Sequence, residues 1–133
     1  YYSLIKINGF DKQLSQQHNA AWFSVKKIPK LIFDHAEMVR AALNRLRNKA
    51  RTQPIGFELL PEKFTIPQLR ILYEAINNRE YDHRNFNKKI KTFLWIVKLD
   101  EKDKSTSKRG AFLYQFDKNK YRQFLDKGIY FEI

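Results

Sequence analysis

The chain has no cysteine, and Met38 is the only methionine among its 133 residues. The lack of cysteine excludes disulfide bonds and thiolate zinc sites, and it suits a reducing compartment. No apolar run approaches the roughly 20 residues of a membrane-spanning helix, and the first residues do not form a secretory signal. The sequence therefore predicts a cytoplasmic protein that has no membrane partner.

Acidic residues are scarce relative to basic ones. Lys and Arg number 26 against 14 Asp and Glu, which gives a formal net charge of +12. Such an excess favours a polyanionic partner, most often nucleic acid, although a basic surface that serves only solubility is the alternative. Aromatic residues make up 15% of the chain. For most of them we expect core packing rather than stacking on bases, and this group includes Phe57, Phe64, Tyr73, Phe86, Phe112 and Tyr114.

Motifs for catalysis and metal binding are missing as well. The three histidines, His18, His35 and His83, are not spaced as a pair of metal ligands. The chain has neither a Ser-His-Asp pattern nor a glycine-rich phosphate loop. We therefore expect no catalytic residue, no metal site and no cofactor in this chain.

The first fifty residues combine two strand patterns with one helix pattern. Aromatic and β-branched residues predict strands over 1–7 and 22–25. Asp34 followed by Glu37 predicts a capped helix start, and apolar residues at helical spacing extend that helix over 35–50. Because the chain begins inside a strand pattern, we expect further sequence upstream.

Residues 51–133 carry the element order of a winged helix-turn-helix. The segment 54–57 predicts a connecting strand, and Thr65 predicts the cap of a helix that tolerates Pro67 in its first turn. The later predicted elements are a helix over 83–94 capped by Asp82, strands over 95–99 and 111–116 joined by a charged loop, and a short helix over 118–126. The predicted fold class is therefore α+β.

The excess of positive charge in this half lies on the third helix and the hairpin. The stretch 83–109 holds nine basic and three acidic residues, whereas basic and acidic residues balance elsewhere in 51–133. At 100° per residue, one side of the helix is apolar and the opposite side is basic. Its predicted buried residues are Phe86, Ile90, Phe93 and Leu94, while Trp95 could belong to the basic side or begin the hairpin.

The recognition helix and the wing are the two elements that this fold presents to DNA. Arginine suits guanine edges and asparagine suits adenine edges, whereas lysine suits phosphates. A basic wing tip can follow the backbone into a minor groove. A charged face that is merely solvated, or a winged helix that binds another protein, are the alternatives. The predicted DNA-binding residues are Arg84, Asn85, Lys88, Lys89, Lys91, Thr92, Lys104, Lys108 and Arg109.

Several segments resemble the Nudix-related transcriptional regulators. The matching segments in this half are Pro54-Ile-Gly-Phe-Glu-Leu-Leu-Pro61, Phe64-Thr-Ile-Pro-Gln-Leu69, Leu72-Tyr-Glu-Ala75, Asp82-His-Arg-Asn-Phe-Asn-Lys-Lys89 and Ser107-Lys-Arg-Gly-Ala111 with Leu113-Tyr114. In the first fifty residues the matching features are Tyr1-Tyr2-x-Leu4, Trp22, Ile28-Pro29 and Phe33-Asp34-His35. The pattern is most similar to the sugar-utilisation regulators of Bacteroides-type bacteria.

This resemblance implies two domains. Residues 1–50 would be the C-terminal strands and helix of a Nudix-like α/β effector domain, and residues 51–133 the winged helix-turn-helix. It further implies a homodimer on a palindromic operator of double-stranded DNA, controlled by a small-molecule effector of the sugar or nucleotide-sugar type. Arg84, Asn85, Lys88 and Lys89 match the family's recognition helix, and residues 108–110 match its wing.

The family's Nudix box, which binds magnesium through glutamates, has no counterpart in this chain. Gly56, Glu62, Arg70 and Glu74 form a partial echo, but Pro67 interrupts it and neighbouring acid positions hold apolar residues. We interpret the echo as coincidence and expect no enzymatic activity from this chain. The alternative is a magnesium-dependent Nudix hydrolase of ADP-ribose-like substrates whose catalytic half lies elsewhere.

Overall fold

The computed structural model describes residues 3–5, 18–105, 108–128 and 131–133. The chain divides into two compact units, residues 1–44 and residues 45–133. None of the helices in the described ranges combines the length and the apolar character needed to cross a membrane.

In the described residues of the N-terminal unit, neither predicted strand is present. Residues 3–5 lie outside any strand, and the other residues of the predicted strand over 1–7 lie outside the described ranges. The strand over 22–25 is a wrong prediction, since Val25–Lys27 forms a 3-10 turn that Ser24 caps by accepting a hydrogen bond from the Lys26 amide. An extended segment forms a strand only where a neighbouring strand pairs with it, and the described part of this unit offers none.

The first long helix, α1, spans His35–Thr52. It begins immediately after Asp34, whose main-chain carbonyl accepts hydrogen bonds from the amides of Glu37 and Met38 at 2.9 and 3.0 Å. The predicted start is confirmed, and the end lies two residues beyond the predicted one. Along the apolar stripe exposure falls from Met38, which is 60% exposed, to Ala50, which is fully buried.

The C-terminal unit contains the winged helix. Its sheet has the order β1-β3-β2 and is antiparallel throughout. The elements after α1 are β1 (Phe64–Thr65), α2 (Ile66–Asn77), α3 (His83–Ile90), β2 (Ile96–Asp103), β3 (Ala111–Phe116) and α4 (Lys118–Asp126). The predicted helix-turn-helix, hairpin and terminal helix are therefore confirmed.

The segment before β1 differs from the prediction. A strand was expected over 54–57, but Gly56 adopts a φ of +83° and a 3-10 turn follows over Phe57–Leu59. An added Cβ at Gly56 would lie 3.3 Å from the Leu72 side chain, so both the backbone angle and the close packing favour glycine. The strand that does form is the two-residue β1, in which Phe64 pairs with Tyr114.

Helix α2 begins as the sequence predicts. Thr65 and Gln68 form a capping box, in which the Thr65 hydroxyl accepts from the Gln68 amide and the Gln68 side chain accepts from the Thr65 amide at 2.8 Å. The helix buries Ile66, Leu69, Tyr73 and Ile76 and ends at Asn78 in the left-handed conformation. This buried face fixes one side of the helix-turn-helix.

Aromatic side chains form the core of this unit. The side chains that are less than a tenth exposed are Phe57, Phe64, Tyr73, Phe86, Phe93, Trp95, Tyr114 and Phe131. The predicted core packing is confirmed for every aromatic of that prediction except Phe112, which is 37% exposed. Trp95, which the sequence places either on the basic side of the helix or at the start of the hairpin, lies in the core. Phe131 was not anticipated, and its ring lies 4.9 Å from that of Phe93 and 5.8 Å from that of Tyr73.

Candidate nucleic-acid interface

Helix α3 separates a buried apolar face from an exposed basic face. Asp82 caps it by accepting a hydrogen bond from the Asn85 amide at 2.8 Å, and Phe86 and Ile90 anchor its inner side. Because the helix has only eight residues, two anchors one turn apart suffice to fix its rotation. The exposed side chains on this helix are His83, Arg84, Asn85, Lys88 and Lys89.

The helix ends four residues before the predicted end. Lys91 takes the C-cap position, and the Thr92 hydroxyl donates to the Lys89 carbonyl at 2.7 Å. Leu94 is therefore 63% exposed instead of buried, so this part of the prediction is wrong. Lys91 and Thr92 are exposed but lie in the turn after α3, not on its face.

The first strand of the wing is longer than predicted, and the loop is correspondingly shorter. Strand β2 continues through Asp103, so the loop covers 104–110. Gly110 has a φ of +68°, and a Cβ there would lie 3.0 Å from the Asp103 carbonyl oxygen. The predicted contact residues Lys104, Lys108 and Arg109 are all exposed on this loop.

The carboxylate of Asp103 is held at the base of the loop. It accepts a hydrogen bond from the Ser105 amide at 2.8 Å. Hydrogen bonds from Ser105 lower the pKa of the Asp103 carboxyl below its ordinary value. The carboxylate thus shapes the turn and does not pair with the loop's cations within 4.0 Å in the described residues.

Two lysines on the wing strand share one aromatic ring, a feature that sequence reasoning missed. The ammonium nitrogens of Lys98 and Lys102 lie 3.6 and 4.5 Å from the centroid of the Phe112 ring. All three side chains are exposed. In a hairpin closed by this loop, regular pairing places Lys102 beside Phe112. The register of the two strands is irregular between Lys98 and Lys102, and this irregularity brings Lys98 to the same ring. The sequence contains no signal for it.

A hydrogen-bond network centred on Glu74 holds the turn between α2 and α3. The Glu74 carboxylate pairs with Arg70 at 2.6 Å and accepts a hydrogen bond from the Tyr81 amide at 3.0 Å. The Tyr81 ring in turn lies 5.3 Å from the ring of Phe86, a buried anchor of α3. Glu74 therefore connects α2 directly to the turn and, through Tyr81, to α3.

Arg79 is a further basic residue that the predicted set omits. Its guanidinium carbon lies 4.4 Å from the centroid of the Tyr81 ring, in the turn between α2 and α3. An arginine stacked on an aromatic ring keeps its edge N–H groups available for an anion. Its position next to Glu80 in a polar turn gives no signal that would distinguish it from an ordinary surface arginine.

The pKa of Glu74 makes its role testable by acid titration. The hydrogen bond from the Tyr81 amide is the main cause that holds the pKa of the Glu74 carboxyl below its ordinary value; desolvation opposes it, and the Arg70 side chain adds to the lowering. A carboxyl whose pKa is lowered in the folded state stabilises the fold at pH values above its unfolded-state pKa. This contribution is lost as the pH falls through the folded-state pKa.

Glu74→Gln should therefore lower the melting temperature at neutral pH and flatten its decline in acid. Thermal unfolding followed across a pH series measures this, with Glu80→Gln as the control; equal acid slopes in all three proteins would contradict it.

The partial echo of a Nudix box does not form a site. Glu62 accepts a hydrogen bond from the Gln115 side chain at 3.0 Å, and Glu74 is engaged by Arg70 and Tyr81. Within the ranges that the structure describes, no group of three or more histidine, aspartate or glutamate side chains is arranged to hold a metal ion. The two glutamates serve local structure.

Comparisons with known proteins agree with the fold of the C-terminal unit. Residues 56–116 match the family model described as the NrtR DNA-binding winged helix domain. The chain is 28% identical over 118 residues to the "ADPR responsive transcriptional repressor NtrR" of Acinetobacter baylyi. This aligned region covers 87% of this chain and 47% of that protein. The chain thus spans about half the length of this relative.

Two solved structures of Shewanella oneidensis NrtR are similar to the chain. One is a complex with a 27mer DNA and shares 25% identity with this chain. The match covers 65% of this chain and 39% of the NrtR chain, and the two superpose with a TM-score of 0.53. The other is a structure of NrtR from the same organism; it shares 26% identity, the match covers 69% of this chain and 41% of that one, and the TM-score is again 0.53. The winged helix is therefore of the NrtR type, and the similarity to the sugar-utilisation regulators stays a prediction.

Proposed function

We propose that residues 51–133 bind double-stranded DNA and act as the output half of a bacterial transcriptional regulator. The observation that carries this proposal is the two-sided character of α3. Its inner face is anchored by Phe86 and Ile90, while its outer face exposes only polar and basic side chains. The match of residues 56–116 to a DNA-binding winged helix supports the same assignment.

Each element has a distinct role in this proposal. Arg84 and Asn85 lie in the first turn of α3, where side chains reach base edges in a major groove, so they select sequence. Lys88 and Lys89, in the next turn, neutralise phosphates and set the register. The wing residues Lys104, Lys108 and Arg109 contact the flanking backbone, and Lys91, Thr92 and Arg79 contact it from the ends of the helix.

Salt dependence distinguishes this function from a winged helix that binds another protein. The 133-residue chain should bind a fluorescent mixed-sequence duplex, and its affinity should fall by about 1000-fold between about 50 and 200 mM salt if six or more phosphates are contacted. Selection from a random duplex library should then enrich one sequence motif. Weak, salt-insensitive binding without an enriched motif would refute the proposal.

For residues 1–50 we propose the C-terminal part of a Nudix-like effector domain in a cytoplasmic homodimer that binds a palindromic operator. The effector is a nucleotide sugar. The Acinetobacter relative is described as ADP-ribose responsive, and ADP-ribose consists of a nucleotide linked to a sugar phosphate. Within this arrangement the winged helix acts by binding and not by catalysis.

Effector control is tested on the protein together with any residues that precede this chain in the gene. ADP-ribose should change operator affinity at least several-fold, whereas free arabinose should not. A change with arabinose alone would instead place the protein with the sugar-utilisation regulators. No change with either compound would contradict control by a sugar-containing effector.

A further inference from the structure

We propose that Lys98, Lys102 and Phe112 form a preorganised site for the DNA backbone on the strands of the wing, separate from the tip residues. This inference rests on the proposed DNA-binding function and extends it to side chains that the recognition helix and the loop do not include. Both lysines and the ring are exposed on the hairpin. The site would take consecutive phosphates of one strand.

The hairpin register explains how two lysines reach one ring. Lys98 pairs with Tyr114 and Lys102 pairs with Phe112. Between these two pairs β2 advances by four positions, whereas β3 advances by two. Such an irregularity bends a strand and redirects its side chains. As a result, both ammonium groups lie against Phe112, at 3.6 and 4.5 Å from its centroid.

The arrangement brings like charges together without neutralising them. The two distances to a shared centroid limit the separation of the ammonium nitrogens to about 8 Å. No carboxylate in the described residues lies within 4.0 Å of either ammonium. An aromatic ring attracts each cation but leaves its charge in place. A pair of unneutralised cations held this close attracts an anion.

Two of the three acids of β2 are engaged elsewhere. Glu101 binds the Lys63 ammonium through both carboxylate oxygens, at 2.7 and 2.8 Å. Asp103 accepts the hydrogen bond from the Ser105 amide. The third acid, Asp100, is exposed, and among the described residues it forms no ion pair within 4.0 Å with Lys98 or Lys102.

The spacing of the pair suits a nucleic-acid backbone. Phosphates along one strand of B-DNA recur about every 3.4 Å of helix axis. Two ammonium groups no more than about 8 Å apart can therefore each contact one of two neighbouring phosphates of one strand. Because long side chains lose rotamer freedom on binding, seating both lysines on the ring beforehand lowers the entropic cost of contact.

The test uses the 133-residue chain and a mixed-sequence duplex of three helical turns. The double variant Lys98→Gln, Lys102→Gln should lower affinity at least tenfold at low salt and reduce the slope of log affinity against log salt by about 1.8, the value for two phosphates. The double variant Lys120→Gln, Lys127→Gln, with one lysine in α4 and the other at its C-cap, removes the same charge outside the site. It should leave the slope unchanged.

The ring is tested separately from the charges. Phe112→Leu keeps both lysines and should lower affinity about threefold without changing the salt slope, since only the prior ordering is lost. Phe112→Tyr keeps the ring and should match the wild type. Proton NMR of the lysine Hε groups should show upfield ring-current shifts in the wild type that disappear in Phe112→Leu, and circular dichroism of each variant verifies that it is folded.

The outcomes separate this site from the proposed function. If Lys98→Gln, Lys102→Gln behaves as the α4 control while Arg84→Ala, Lys88→Ala loses binding, the wing-strand site is refuted and DNA binding stands. If the wild type itself binds the duplex without salt dependence, both are refuted. Wild-type affinity in Phe112→Leu would overturn the role of the ring.

Discussion

Replacing Arg84 and Lys88 together by alanine is expected to abolish sequence-selective DNA binding. Loss of an arginine contact to a base edge costs about 1–3 kcal/mol, or roughly ten- to a hundredfold in affinity, at one position of the site. Loss of a lysine–phosphate contact weakens all sequences and lowers the salt slope by about 0.9. Both side chains are exposed on α3, so neither replacement should disturb the core.

Anisotropy titrations with the selected operator and with a mixed-sequence duplex separate the two effects. Arg84→Ala alone should reduce the ratio of the two affinities, whereas Lys88→Ala alone should leave the ratio intact. The matched control is Arg122→Ala, Lys127→Ala, which removes two exposed cations from the α4 region. If the α3 double variant binds its operator as tightly as this control does, α3 is not the recognition helix.

Replacing Phe131 by alanine should destabilise the winged helix by about 3–5 kcal/mol, the usual cost of removing a buried phenylalanine. The ring is fully buried and lies against Phe93, which follows α3, and Tyr73 in α2. For a domain of this size, each kcal/mol corresponds to about 4–8 °C in melting temperature. The change should therefore unfold the domain near physiological temperature or lower its melting point by tens of degrees.

Calorimetry or circular dichroism measures this effect. Phe33→Ala provides the contrast because the Phe33 side chain is 88% exposed, and it should change the melting temperature by only a few degrees. A Phe131→Ala protein that melts with the wild type would mean that Phe131 is not part of the core. Retained DNA affinity below the melting point would show that this residue supports α3 without touching the ligand.

The C-terminal unit could be predicted from the sequence because its signals are local. Thr65 and Asp82 mark helix starts, and the capping hydrogen bonds of both form in the structure. The apolar and aromatic segment 111–116 gives β3 with the same bounds. In each case the residues that decide the element lie within a few positions of one another.

Features that depend on distant partners could not be predicted. The strand pattern over 22–25 reflects propensity, which does not produce a strand without a neighbour to pair with. Phe131 packs on residues almost forty positions or more away, so no periodicity in the sequence indicates its burial.

The early end of α3 has a local cause that the apolar spacing through residue 94 concealed. The Thr92 hydroxyl donates a hydrogen bond to the Lys89 carbonyl, three residues before it, in the turn that ends the helix.

The candidate site shows the same division. Arg84, Asn85 and Lys88 could be selected from helical spacing, and Lys89 from the family resemblance; all four are exposed. The seating of Lys98 and Lys102 on Phe112 required the register of β2 against β3. The stacking of Arg79 on Tyr81 likewise depended on the three-dimensional course of the turn.

The central claim is that α3 and the wing contact one duplex at the same time. Backbone amide NMR of the 133-residue chain, titrated with the selected operator, tests it most directly. The account predicts saturable shift changes with one common dissociation constant at residues 83–92 and at residues 98–112. Changes confined to one of the two segments, or changes centred on α4, would contradict it.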